Sequence, residues 1–193
     1  TVLTGANRQV DVKVASSSNI SLTGASLSMV GTSTASTTIS AISGAYNLTV
    51  SNSTLNNQYF TISGTGASGL NLTASTTLTT FSDGYLNITP NLTGMTVDAT
   101  TINTNPAGQF YRIGFATSSA GTASNVTLSG SPSSFIWFRE GFGGLYGEAY
   151  DASDANPGSI RFDDSSFIVT VSGNVYSDAG ITPMGAPTCD GTT

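Results

Sequence analysis

The chain has 193 residues, a net charge of −6, one lysine, four arginines and no histidine, with 8% charged and 38% hydrophobic residues. That balance excludes a basic nucleic-acid footprint and attraction to anionic lipid, and the missing histidine removes the common Ser-His-Asp and Cys-His machinery together with the usual zinc ligands. Ser and Thr make up about three residues in ten, but the apolar content is too high and too regularly placed for a disordered chain, and no apolar run approaches the roughly 18 residues of a membrane span.

Residues 1–18 begin with Gln9-Val-Asp-Val-Lys-Val-Ala15, a strict alternation that reads as one strand with an apolar face. A lone amphipathic strand needs an edge to complete it. We expect residues 1–18 to cap their own molecule or to be donated to the tail of a neighbouring subunit, which would make the chain a homo-oligomer or filament. The chain begins at Thr1 without a signal peptide, so a secreted form is expected to be a mature or excised portion.

From residue 19 the pattern becomes periodic. An irregular first coil, 19–43, offers Ile20/Leu22, Leu27/Met29 and Ile39/Ile42 as core positions. The pairs Phe60/Ile62, Leu86/Ile88, Tyr111/Ile113, Ile136/Phe138 and Ile160/Phe162 then follow one another at steps of 26, 25, 25 and 24 residues, and Gly44, Gly69, Gly94 and Gly121 keep a similar beat. After each glycine comes a second alternating run, Leu48/Val50, Leu72/Ala74, Val97/Ala99 and Val126/Leu128. Two strands per repeat of about 25 residues, with no helical stripe, predict an all-β parallel solenoid over 19–176; a β-sandwich or jelly roll is the alternative. Ile62, Ile88, Ile113, Phe138 and Phe162 form one inward stack in this reading. Gly141-Phe-Gly-Gly-Leu-Tyr-Gly147 opens a loop expected to protrude over 141–158, Phe167–Ser172 is expected to be the last strand, and 177–193, with Pro183 and Pro187, reads as a linker.

This repeat resembles the right-handed parallel β-helix of pectin-lyase-like proteins over about residues 19–172. The stretch GEAYDASDANPGSIRFDDSSFIVTVSGNVYSD also looks like a segment of very large predicted surface proteins of uncultivated bacteria. The resemblances imply a right-handed coil and an extracellular or cell-surface setting. The first also implies a polysaccharide lyase or glycosidase-like enzyme with calcium-binding acids and a basic residue that abstracts a proton, for which Arg112 and Arg161 would be nominated, although no matching motif accompanies them.

Three groups of candidate site residues follow from the residues themselves. Glu148, Asp151, Asp154, Asp163 and Asp164, close to Glu140, form an oxygen-rich, histidine-free segment of the kind Ca²⁺ takes, although their spacing is not that of an EF-hand loop. If Ile113, Phe138 and Phe162 point inward, Arg112, Trp137 and Arg161 point outward on successive coils, with Tyr59, Tyr85, Phe110 and Phe135 as a second outward column; such a face stacks on glycans or anchors a protein partner, unless the loop 141–158 folds over it. Seven N-x-S/T sequons, at Asn19, Asn47, Asn52, Asn71, Asn87, Asn91 and Asn125, are candidates for glycosylation. Cys189, the single cysteine, has no internal disulfide partner. The expected product is a structural or adhesive β-solenoid without enzymatic activity, and the competing class is a carbohydrate-active enzyme or carbohydrate-binding module on the same scaffold.

Overall fold

The computed structural model describes residues 2–4, 10–117, 121–154, 158–163, 168–171, 174–177 and 180–183. It is a parallel β-solenoid of about five turns, followed by a second unit, Asp163–Thr193. In chain order the strands are β1 (Val2–Thr4), β2 (Val10–Val14), β3 (Asn19–Thr23), β4 (Ser26–Val30), β5 (Thr37–Ala41), β6 (Tyr46–Ser51), β7 (Thr54–Ser63), β8 (Thr65–Thr73), β9 (Thr77–Ile88), β10 (Thr93–Asp98), β11 (Gly108–Thr117), β12 (Ser124–Ser129), β13 (Ile136–Arg139) and β14 (Ile160–Phe162). A helix, α1 (Ala99–Thr104), interrupts the fourth coil.

Each coil has three faces. The first carries β1, β4, the opening halves of β7, β9 and β11, then β13 and β14; the second carries β2, β5 and the closing halves of β7, β9 and β11. The third is the sheet of β3, β6, β8, β10 and β12. The long strands turn from the first face to the second at single residues with left-handed backbone, Tyr59 (φ 51°), Asp83 (φ 54°) and Arg112 (φ 50°), and Glu140 (φ 51°) follows β13 in the same column. One extra residue in the left-handed region acts as a bulge. It lets Phe110 and Ile113, three apart, both point inward.

The five residues expected inside are all buried, at 2% for Ile62 and Ile88, 1% for Ile113, 0% for Phe138 and 6% for Phe162. Their register differs from a constant step. Ile62 pairs with Leu86, Gly84 with Ile113, and Phe110 with Phe138, so the coils advance by 24, 29 and 28 residues before the final 24. The interior is threaded by an aromatic ladder, with centroid separations of 4.8 Å for Phe60–Phe81, 4.9 Å for Phe81–Phe110, 4.5 Å for Phe110–Phe138 and 4.8 Å for Phe138–Phe162. Gly84 makes room for this ladder, because a Cβ there would collide with the Phe60 ring.

Other expectations are revised. Of the two expectations for the strand at residues 10–14, pairing onto the chain's own first coil is the one seen, β2 lying parallel to β5 and β1 to β4, but these strands are not separate from the repeat and add a coil ahead of the one expected from residue 19. Ile42 is 68% exposed, and Ala74 lies in an exposed turn at φ 48°. Ala99 opens α1, a helix that the scarcity of helix formers concealed; its signal is Asp98, whose Oδ1 accepts from the Thr100 N–H at 2.8 Å as an N-cap. The segment 141–154 does not protrude. Phe142 extends the second face beside Gly114, and Ala152 extends the third beside Thr127, so this segment is an irregular last coil. Finally, Ile168–Val171 does not continue the solenoid. It pairs antiparallel with Asn174–Ser177, which pairs with Gly180–Pro183, so part of the expected linker is sheet.

Candidate functional site

The acidic segment serves the backbone of the last coils. Glu148 Oε1 accepts from the Phe162 N–H at 2.9 Å, and Asp154 Oδ2 accepts from the Ile160 N–H at 2.7 Å, so two of the candidate calcium ligands hold β14 in place. Asp151 lies between the hydrogen bonds that dock Ala152 on β12 and the Glu148 turn, and its Oδ2 is buried without a hydrogen-bond partner. Partial burial, with Glu148 and then Asp154 adding negative potential, pushes the Asp151 carboxyl up to about 7. Among the described residues no three carboxylates converge as a cation shell. Asp164 lies outside the described residues, and Asp163, which opens the second unit, is half-buried. The described acids of the last coil therefore crowd one another without being arranged as the six-to-eight-oxygen cage that calcium takes.

The expected aromatic-arginine face divides into three. Phe110 is 0% exposed and belongs to the interior ladder, which removes it from the outer surface. Tyr59 and Arg112 occupy corners, and Tyr85 lies on the second face, with its ring stacked on Phe142 at 6.2 Å. What remains on the first face is a compact group around Trp137. Trp137 pairs in register with Arg161 as the alternation predicts, but on its other side it meets Gln109 instead of Arg112. The Arg161 guanidinium lies 3.9 Å from the Phe135 ring centre and 5.8 Å from that of Trp137; Arg139 lies 4.6 Å from Trp137. Arg161 Nε donates to the Gly158 carbonyl at 2.9 Å. Stacking occupies the flat face of a guanidinium and leaves in-plane N–H donors for an acceptor. Neither Arg139 nor Arg161 has a carboxylate partner among the described residues. Among the described residues of the last coil the aromatic Phe142 is 50% exposed and lies on the second face beside Gly114.

Period-2 alternation from Trp137 reaches Arg139 directly, so this member was available to sequence reasoning and was missed only because attention stayed on the 25-residue step. The corner column was not available in that way. Arg112 Nε donates to Asp83 Oδ1 at 2.6 Å across a 29-residue step, and the hydrogen bond between Tyr111 and Glu140 raises the Tyr111 phenol. The column is a brace between coils.

Of the sequons, Asn19, Asn47, Asn52, Asn87 and Asn91 are exposed and Asn71 is half-buried. Asn125 differs from the other six. It is 0% exposed, its Nδ2 donates to the Gly147 carbonyl at 2.9 Å and its Oδ1 accepts from the Val126 N–H at 2.5 Å. Asn19 and Asn47 stack in register, Asn47 Nδ2 donating to Asn19 Oδ1 at 2.8 Å.

No family model, curated protein or solved structure matches this chain. No helix among the described residues is long and apolar enough to cross a membrane.

Proposed function

We propose that the chain is a secreted or cell-surface β-solenoid with a structural and adhesive role, its coils serving as scaffold and its first face serving as the contact surface for a glycan. The observation that carries this reading is the half-exposed Trp137 beside Arg139 and Arg161, two cations without carboxylate partners among the described residues, on a flat face of a chain that has only five basic residues. Aromatic planes with arginine donors at their rim suit polyhydroxylated rings. The Ser, Thr and Asn side chains outside, with five exposed sequons, suit an extracellular setting.

Trp137 is the only tryptophan, so its emission reports on this face alone. Titrating the chain with a panel of cell-surface glycans should shift that emission saturably for at least one glycan, and Arg139→Gln with Arg161→Gln should remove the response while leaving the fold intact. No shift with any member of the panel would sink the adhesive reading.

A second reading, a carbohydrate-active enzyme, draws on Asp151, whose carboxyl at about 7 is in the range of a general acid. Reducing-end release or formation of an unsaturated product from the same glycans, abolished in Asp151→Asn, would support it. Equal turnover by the variant would remove it.

A further inference from the structure

Among the described residues the guanidinium groups are those of Arg112, Arg139 and Arg161. Their surroundings differ. Arg112 is paired with Asp83, Nε donating to Oδ1 at 2.6 Å. Arg139 and Arg161 have no carboxylate partner among the described residues, and both lie beside Trp137. The residue after Arg139, Glu140, is hydrogen-bonded to the Tyr111 phenol, and the neighbour of Trp137 on the previous coil is the neutral, exposed Gln109. In a chain of net charge −6 this is a local concentration of positive charge next to a half-exposed indole. Charge complementarity there calls for an anionic ligand.

The hydrogen-bonding edges that the two arginines leave open narrow the kind of anion. Arg161 Nε is spent on the Gly158 carbonyl at 2.9 Å, and its flat face lies 3.9 Å from the Phe135 ring centre. Arg139 Nε is buried without a hydrogen-bond partner, and its guanidinium lies 4.6 Å from the Trp137 ring centre. The Nε edge of each is therefore closed to a ligand, and what each presents is its end-on pair of Nη groups. One such pair saturates the two oxygens of a carboxylate. Two pairs around one indole fit an anion with a third acceptor, and a sulfate ester carries three terminal oxygens on a tetrahedral centre.

We propose that the first face recognises a glycan bearing sulfate esters, one sulfate held by the Nη groups of Arg139 and Arg161 while the sugar that carries it lies against Trp137. This rests on the glycan-binding reading above and names its substrate class. Gln109, one strand further along the same column, offers an amide donor and acceptor to the hydroxyls of the next sugar.

The test follows Trp137 emission of the full chain during titration with heparin, dextran sulfate and carrageenan, each beside its chemically desulfated counterpart, with folding of every variant checked by circular dichroism. Desulfated heparin keeps its carboxylates, so that pair separates sulfate from carboxylate on one backbone. At least one sulfated polymer should bind, about tenfold or more tightly than its desulfated counterpart, because charge-assisted hydrogen bonds are lost with the sulfate. Its net charge makes the chain as a whole repel polyanions, so such binding reports the local face. Arg139→Lys with Arg161→Lys keeps both charges but removes the planar forks, and should weaken binding of the sulfated polymer by about tenfold or more. Desulfated counterparts bound as tightly, a lysine variant that binds as tightly, or a phosphorylated mannan bound more tightly than every sulfated polymer would each overturn the sulfate assignment and leave Trp137 as a glycan contact. No response to the sulfated polymers while a neutral glycan still shifts the emission would overturn it in the same way; no response to any glycan removes both this assignment and the reading on which it rests.

Discussion

Gly84 shows how single residues hold the coils in register. It sits over Phe60, and a Cβ there would occupy the space of the ring. Gly84→Ala should destabilise the chain by about 1–3 kcal/mol, as overpacking of a filled core does, read as a lower urea midpoint with an unchanged slope. Ile113, 1% exposed above Gly84, tests the opposite error. Ile113→Ala should cost about 2–5 kcal/mol. Asp151 gives a pH dependence whose sign is fixed by its raised carboxyl. Its folded value of about 7 lies above the ordinary 3.8, so the folded chain holds a proton that the unfolded chain releases, and this residue's contribution to stability falls as pH rises from about 4 to about 7. Asp151→Asn should therefore melt above the unsubstituted chain at pH 8, with the advantage shrinking toward pH 5; a constant difference would mean that Asp151 does not titrate there.

The left-handed corners are the devices of the next scale, the element. A residue near φ 50° bends β7, β9 and β11 from one face to the next, and the column Tyr59, Asp83, Arg112 and Glu140 repeats that bend on successive coils. Asp tolerates this backbone better than a β-branched residue. Asp83→Val should be less stable than Asp83→Asn by about 1–2 kcal/mol or more, since both lose the ion pair with Arg112, while only valine also gives up the acceptor oxygen for the Arg112 N–H and carries the backbone strain. Equal stabilities would show that the corner is relaxed elsewhere. These corners also explain what was legible in the sequence. Alternation assigned Ile62, Ile88, Ile113, Phe138 and Phe162 to the interior correctly, but not to one stack: Ile62, Ile88 and Ile113 lie on the second face, where slips of two and four residues keep the inward side, and Phe138 and Phe162 lie on the first. It failed at Phe110, since the extra residue at Arg112 reverses the alternation between Phe110 and Ile113. It also missed α1, whose Thr and Asn residues are weak helix formers held by the Asp98 cap and by neighbouring coils.

At the scale of the whole molecule, coil length varies while the cross-section is kept, because insertions are placed in turns and in α1. A sequence repeat of about 25 residues is therefore enough to identify a parallel solenoid, but too coarse to say which outer residues are neighbours. The Trp137 group suffers most from that coarseness. A constant step of 25 places Arg112 beside Trp137, whereas the observed step of 28 places Gln109 there. Millimolar calcium should leave the thermal midpoint unchanged, because Glu148 and Asp154 each commit one oxygen to β14 and no three carboxylates converge among the described residues; a rise reversed by a chelator would show that the acids of the last coil gather an ion. The arrangement of outer residues on the first face rests on the register of β11 against β13, and paired cysteines in a Cys189→Ser background read that register directly. Residues opposite one another on neighbouring strands lie about 4.8 Å apart, within disulfide reach. Gln109→Cys with Trp137→Cys should oxidise to an intramolecular disulfide, and Arg112→Cys with Trp137→Cys should not; cross-linking of the second pair and not the first would contradict the register of β11 against β13 and with it the unequal coil steps of the solenoid.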